Sequence, residues 1–82
     1  MSGGQRPNPW LANLQSLTSR ERDVLREVSR GRSDQDIATL LVISLNTVKT
    51  HIRHVLAKLE VKSRYQAADI WQDHSSGDSK PE

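Results

Sequence analysis

The stretch "SLNTVKTHIRHVLAKLEV", Ser44 to Val61, decides the fold. At about 100° per residue, measured from Asn46, Val48 falls near 200°, Ile52 near 240°, Val55 near 180° and Leu59 near 220°, so four apolar side chains form one stripe along a helix. Asn46, Lys49, Thr50, Arg53 and Ala57 fall within about 60° of zero, on the opposite side. That face carries a Lys, an Arg and small residues, and no carboxylate. His51 and His54 lie on the flank. The stripe predicts a helix held on a small core, and the opposite face is either a solvated helix back or a surface made for contact.

The residues before Ser44 carry start and stop signals for two shorter helices. Thr18 followed by Glu21 is a capping box, whose hydroxyl and carboxylate satisfy orphan backbone donors reciprocally. A first helix then runs to about Arg30, with Val24, Leu25 and Val28 inward, and Gly31 stands where a left-handed residue ends it. Ser33 with Asp36 repeats the box and opens a second helix, "DQDIATLL", with Ile37, Ala38 and Leu41 inward. Val42 and Ile43 leave only a short turn before Ser44 and Thr47 start the third helix. Two helices joined so tightly must cross steeply, which is the helix-turn-helix arrangement with its second member presented outward. After Val61, Ser63 with Gln66 opens a fourth helix, "RYQAADIWQ", with Ala67, Ile70 and Trp71 as apolar residues. No strand alternation or internal repeat intervenes, so the expected fold is all-α, a compact four-helix domain containing a helix-turn-helix.

The domain so delimited spans residues 17–73. Residues 1–16 read as a flexible linker or tag, with "PWLANL" in 9–14 as a short helix or a loop; a helix there would be capped by Asn8 with Pro9 at its first position. Residues 74–82, "HSSGDSKPE", read as a disordered tail.

An 82-residue chain makes one small domain, too small for an elaborate enzyme cleft. It has no Cys, which excludes a disulfide framework, a thiolate zinc site and a cysteine nucleophile. No apolar run approaches the roughly 20 residues that span a membrane, and "MSGGQRPNPW" has no signal-peptide core, so a cytoplasmic protein is expected. The net charge of +2 hides an asymmetry: residues 17–67 carry ten Lys/Arg against six Asp/Glu, whereas residues 68–82 carry Lys80 against Asp69, Asp73, Asp78 and Glu82. A basic middle with an acidic tail fits a polyanion-binding domain.

On that basis the acid-free helix face becomes a candidate major-groove reader. The groove admits an α-helix whose exposed side chains are long donors, or small groups that permit close approach. Lys49 and Arg53 are one turn apart and reach guanine edges, while Thr50 suits a thymine methyl or an acceptor. The helix start, with Ser44, Asn46 and Thr47, offers free N–H groups and a positive dipole end to a phosphate, and His51 on the flank is a further phosphate candidate. Two histidines three apart, without Cys or an acid at ligand spacing, do not predict a metal, and no cofactor is expected.

The string "LTSRERDVLREVSRGRSDQDIATLLVISLNTVKTHIRHVLAKLEVKSRYQAA" resembles the LuxR-type (GerE-like) helix-turn-helix domain, whose pattern is Leu-Thr-x-Arg-Glu-x-x-Val-Leu, Gly-x-Ser, Ile-Ala, Leu-x-Ile-Ser, Thr-Val-Lys-x-His, Lys-Leu-x-Val and Ser-Arg-x-x-Ala. The likeness covers Leu17 to Ala68, about five-eighths of the chain, with every block in order, and "HIRHVLAKLEVKSRYQAA" looks most like the NarL-type response regulators. The resemblance implies a transcription regulator in the bacterial cytosol, the output domain of a two-component response regulator that binds double-stranded DNA as a homodimer on an inverted repeat. It implies base contacts by Lys49, Thr50 and Arg53, phosphate proximity for Lys62 and Arg64, and dimer contacts from the fourth helix.

On that helix Tyr65, Ala68 and Gln72 share one face, and Trp71 lies nearer the core. These four are the dimer candidates, and internal packing is the alternative for each. The chain is expected to be monomeric or weakly dimeric in solution. Where the family has Ser-Asn-Lys-Glu, this chain has "SDQD", which replaces a phosphate-side cation by Gln35 and adds Asp34. The family's usual receiver or sensor domain does not occur in this sequence, which suits an excised effector domain or a stand-alone regulator. The competing readings are a helical protein-interaction module with its basic face on an acidic partner, and a promoter-contacting region of a sigma factor. The first would expose larger apolar anchors than Thr50, Ala57 and Asn46, and the helix after "EVKSR" argues against the second. No carboxylate pair, activated nucleophile or Gly-rich phosphate loop supports an enzyme.

Overall fold

The structure, a computed structural model, describes residues 10–79. Among them are five helices and no strand: α1 Leu11–Gln15, α2 Ser19–Ser29, α3 Asp34–Leu41, α4 Leu45–Leu59 and α5 Arg64–Ser79. The four helices expected from the sequence are α2 to α5, and the helix-turn-helix pair is α3 and α4. The short N-terminal helix exists as α1, and its expected cap, Asn8 with Pro9, lies outside the described residues.

The helix starts follow the local chemistry of the sequence. The Thr18 hydroxyl accepts from the Glu21 N–H at 3.1 Å and the Glu21 carboxylate accepts from the Thr18 N–H at 3.0 Å, a complete capping box. Ser63 and Gln66 form the second complete box: Ser63 accepts from the Gln66 N–H, and the Gln66 side chain accepts from the N–H groups of Lys62 and Ser63. At Ser33 and Ser44 the hydroxyl half is present, each accepting from the N–H three residues on. Asp34 and Asp36 in the first turn of α3 suit the positive end of its dipole.

The three helix ends share one geometry. Gly31 at φ 82°, Val42 at φ 58° and Glu60 at φ 60° are left-handed. Each donates its N–H back to the residue three before it, and the next residue reaches back five: Arg32 to the Glu27 carbonyl, Ile43 to Ala38 and Val61 to Leu56. These are Schellman motifs, and Ile43 and Val61 complete them by packing on the core. Only the first uses glycine. Val42 is β-branched, 87% exposed and left-handed, so it bears backbone strain with little packing in return. Val42→Asn is therefore expected to raise the unfolding free energy by about 0.5–1 kcal/mol, read by urea denaturation. A loss of stability would show that the valine makes contacts worth more than the strain.

Two core clusters share α4. Val24, Ile37, Ala38, Val48 and Ile52 bring α2 and α3 onto its N-terminal half. Leu14, Leu17, Leu25, Val55, Leu59, Ala67 and Ile70 bring α1, α2 and α5 onto its C-terminal half, and Leu56 packs against both clusters. The four stripe residues of the sequence reading are all buried, Val48 and Leu59 completely. α1 belongs to the packed unit: Leu14 is 4% exposed, and the Asn13 amide donates to the Lys58 carbonyl at 2.7 Å, occupying one of the orphan acceptors at the end of α4. The sequence boundary at Leu17 therefore cuts through packed structure. At the other end, α5 runs on to Ser79, past the boundary at residue 73, so of the expected tail only residues 80–82 lie outside the described part.

Candidate nucleic-acid interface

The aim of α4 is set by more than apolar packing. Glu21, 4% exposed, accepts from the Lys58 ammonium at 2.8 Å, and His54 Nδ1 lies 3.5 Å from its other oxygen. Burial pushes the Glu21 carboxyl up, but the Lys58 hydrogen bond, the Thr18 N–H and the charges of Lys58 and His54 outweigh it, holding the group below its ordinary 4.5. This ion pair joins α2 to α4 and fixes the rotation of α4 about its own axis. Lys58 also donates to the Ser16 carbonyl at 3.2 Å, which ties in the loop after α1. His54, a flank residue in the sequence, thus faces an acid of its own chain.

With the stripe buried and the rotation fixed, Asn46, Lys49, Thr50, Arg53 and Ala57 are all exposed along one side of α4. Among the described residues Lys49 and Arg53 make no hydrogen bond or ion pair, so both heads are available to a ligand. At the start of α4 the Ser44 hydroxyl caps the Thr47 N–H and lies 2.9 Å from the Thr47 hydroxyl. Those two hydroxyls are already engaged, and Asn46 stands exposed beside them. His51 is half-buried, and its Nδ1 has no hydrogen-bond partner among the described residues. Lys62 is exposed at the turn before α5.

Arg64 stands differently. It opens α5 and its guanidinium donates to both oxygens of Asp34, at 2.6 and 3.3 Å. That hydrogen bond, partly opposed by burial and reinforced by the charges of Arg64 and Lys49, holds Asp34 below its ordinary 3.8. The phosphate candidate of the sequence reading is thus held by an acid 30 residues away. No local pattern announces such a pair. Asp34, Lys49, Ile52, Arg53, Leu56 and Arg64 line one open cleft between the start of α3, the exposed side of α4 and the start of α5.

The dimer candidates on α5 separate. Tyr65 is 77% exposed and Ala68 half-buried beside it. Trp71 packs against the core cluster of its own chain, with the His74 ring centroid 6.2 Å away, and the Gln72 amide donates to the Ser29 carbonyl at 2.9 Å. Trp71 is thus partly buried in its own chain, whereas Gln72 stays exposed although tied to α2 by that hydrogen bond, and Tyr65 faces outward.

Behind the interface, α2 carries a second buried acid. Glu27, 6% exposed, accepts from Arg30 at 3.1 Å and Arg32 at 3.2 Å, with Arg26 at 3.6 Å. Burial pushes its carboxyl up, but the Arg32 hydrogen bond and the charges of Arg30, Arg32 and Arg26 bring it below its ordinary 4.5. Glu21, Glu27 and Asp34 thus all have depressed values in the folded state. Each contributes stability that is fully present above its unfolded value and is lost as pH falls through the folded one. Stability should therefore be level from neutrality to about pH 5 and fall below the ordinary 4.5, measured by urea unfolding across that range. Glu27→Gln should make that fall shallower; an unchanged acid profile would remove Glu27 from the account.

No helix among the described residues is long and apolar enough to cross a membrane. A family model, that of the bacterial regulatory proteins of the luxR family, matches residues 15–71. The uncharacterized transcriptional regulatory protein YhcZ of Bacillus subtilis (strain 168) is 58% identical over 61 residues, 74% of this chain and 28% of that protein. The putative HTH-type transcriptional regulator Rv0890c of Mycobacterium tuberculosis is 50% identical over 66 residues, 80% of this chain and 7% of that protein. The nitrate/nitrite response regulator protein NarP of Escherichia coli (strain K12) is 55% identical over 55 residues, 67% of this chain and 26% of that protein. The chain thus spans at most a little over a quarter of these relatives. The matched residues take in α2, α3, α4 and the first half of α5, and the chain belongs to the luxR family of bacterial regulatory proteins, with α3 and α4 as its DNA-binding helix-turn-helix.

Proposed function

We propose that this chain is the DNA-reading output domain of a bacterial transcription regulator in the cytoplasm, with α4 in the major groove. The observation that carries the reading is the side of α4 bearing Asn46, Lys49, Thr50, Arg53 and Ala57: exposed, free of acids, with two cations that make no hydrogen bond or ion pair among the described residues, on a helix whose opposite stripe is buried. Lys49 and Arg53 then supply donors to guanine edges and Thr50 a small contact, while Asn46, the N–H groups at the start of α4, His51 and Lys62 approach phosphates. Ser44 and Thr47 contribute by holding that helix start in place. Tyr65 and Ala68 supply the contact between two copies on an inverted repeat, too small an apolar surface for a tight dimer without DNA. Response regulators among the relatives support a two-component setting, with a receiver domain in the remainder of such a protein.

Selection from a random duplex library with this chain tests the reading. The expected result is a recovered motif with two-fold symmetry and strong preference at the positions facing Lys49 and Arg53. Recovery of unenriched sequence, with the chain folded, would sink it and favour a protein partner for the same face.

A further inference from the structure

The cleft beside the reading side of α4 is lined by three cations, Lys49, Arg53 and Arg64, and a single acid, Asp34. Two of the three answer to that acid. Arg64 gives it both arms of its guanidinium, and Lys49 is close enough for its charge to act on the carboxylate. Arg64 opens α5, where the helix dipole disfavours a cation, so the pair with Asp34 also offsets that local cost. Asp34 is itself the first residue of α3, where an acid is favoured, and nothing draws it away. A phosphate approaching Arg64 would find both terminal nitrogens engaged and would sit beside the negative charge of Asp34. Of the five N–H donors of the guanidinium, Asp34 takes one on each terminal nitrogen, and its carboxylate compensates the charge that would draw a phosphate in.

We infer that Asp34 is a positioning residue that sets the electrostatic share of DNA affinity: it keeps the Arg64 fork engaged within the chain, lowers the cationic potential of the cleft, and so removes one backbone contact from the complex. Arg64 thereby leaves the set of phosphate contacts, and binding rests more heavily on Lys49, Arg53 and Thr50. The inference depends on the DNA-reading role of α4.

The test is Asp34→Asn, measured by fluorescence anisotropy on a selected duplex and an unrelated one across a salt series. The expected result is tighter binding to both by the same factor, roughly fivefold to tenfold near 0.1 M salt, with the salt slope steeper by about one phosphate. Adding Arg64→Gln to Asp34→Asn should abolish the gain. The Arg64 Nε–H signal in NMR is a second readout on the unaltered chain: it should stay in place on titration with duplex, and move in the Asp34→Asn variant. Movement of that signal in the unaltered chain overturns the inference, as does a folded Asp34→Asn variant whose affinity is unchanged or weaker. If the unaltered chain binds neither duplex, the DNA-reading role falls and takes this inference with it; binding without an effect of Asp34→Asn sinks the inference alone.

Discussion

Leu59→Ala is expected to lower the unfolding free energy by about 3 kcal/mol, which leaves a domain of this size close to its limit. Leu59 is completely buried at the last position of α4, in the cluster formed with Leu14, Leu17, Leu25, Val55, Ala67 and Ile70. Its removal leaves a void at the place where α1, α2, α4 and α5 meet, and those elements are fixed by other bonds that prevent collapse. Asn13 is held on the Lys58 carbonyl, Lys58 on Glu21, and Gln72 on Ser29. A site that cannot relax keeps the cavity open, so its cost adds to the lost transfer free energy of the side chain. At about 4–8 °C per kcal/mol for a domain of this length, the midpoint of thermal unfolding should fall by roughly 15–20 °C. Leu40→Ala is the control, since Leu40 is 50% exposed in the middle of the helix-turn-helix and should change stability by less than about 0.5 kcal/mol. Equal effects for the two would mean that the cluster at the end of α4 does not hold the domain together.

The same cluster shows where the sequence was legible. The start of each helix from α2 onward is written in two or three adjacent side chains, because a cap satisfies N–H groups one turn away and needs nothing distant. The end of α2 was readable for the same reason, through Gly31. The ends of α3 and α4 were not, because Val42 and Glu60 carry no preference for the left-handed region. Ile43 and Val61, packing on the core one residue later, hold them in it. The two-faced pattern of α4 is a periodic signal and came through as buried and exposed sides. What escaped depends on long-range encounters: Arg64 meeting Asp34, Gln72 meeting Ser29, His54 and Lys58 meeting Glu21, and Asn13 capping the end of α4. Each partner alone reads as an ordinary surface residue. For the candidate site this matters most at Arg64, which the sequence offers to phosphate and the fold offers to Asp34.

Arg53→Ala is expected to weaken binding to the selected duplex by about 1–3 kcal/mol and to relax preference at one position of the half-site, with unrelated duplex affected far less. Arg53 is exposed, without an ion-pair partner among the described residues, and one helical turn beyond Lys49, on the side of α4 opposite Ile52 and Val55. Its removal leaves no cavity and unpairs no acid, so the fold should be unchanged and the loss should report the contact itself. Arg53→Lys separates charge from geometry: a lysine keeps the cation but not the planar fork, so it should restore affinity for unrelated duplex and leave the lost base preference unrestored. Lys62→Ala supplies the contrast. Lys62 stands at the turn before α5, off the reading side, and its loss should weaken every sequence alike and flatten the salt slope by about 0.9. The two residues are therefore told apart by the shape of the selected-site profile, whatever the absolute affinities. An Arg53→Ala profile that keeps every preference of the parent, with only a uniform loss of affinity, would assign Arg53 to the phosphate backbone and leave Lys49 and Thr50 as the base readers.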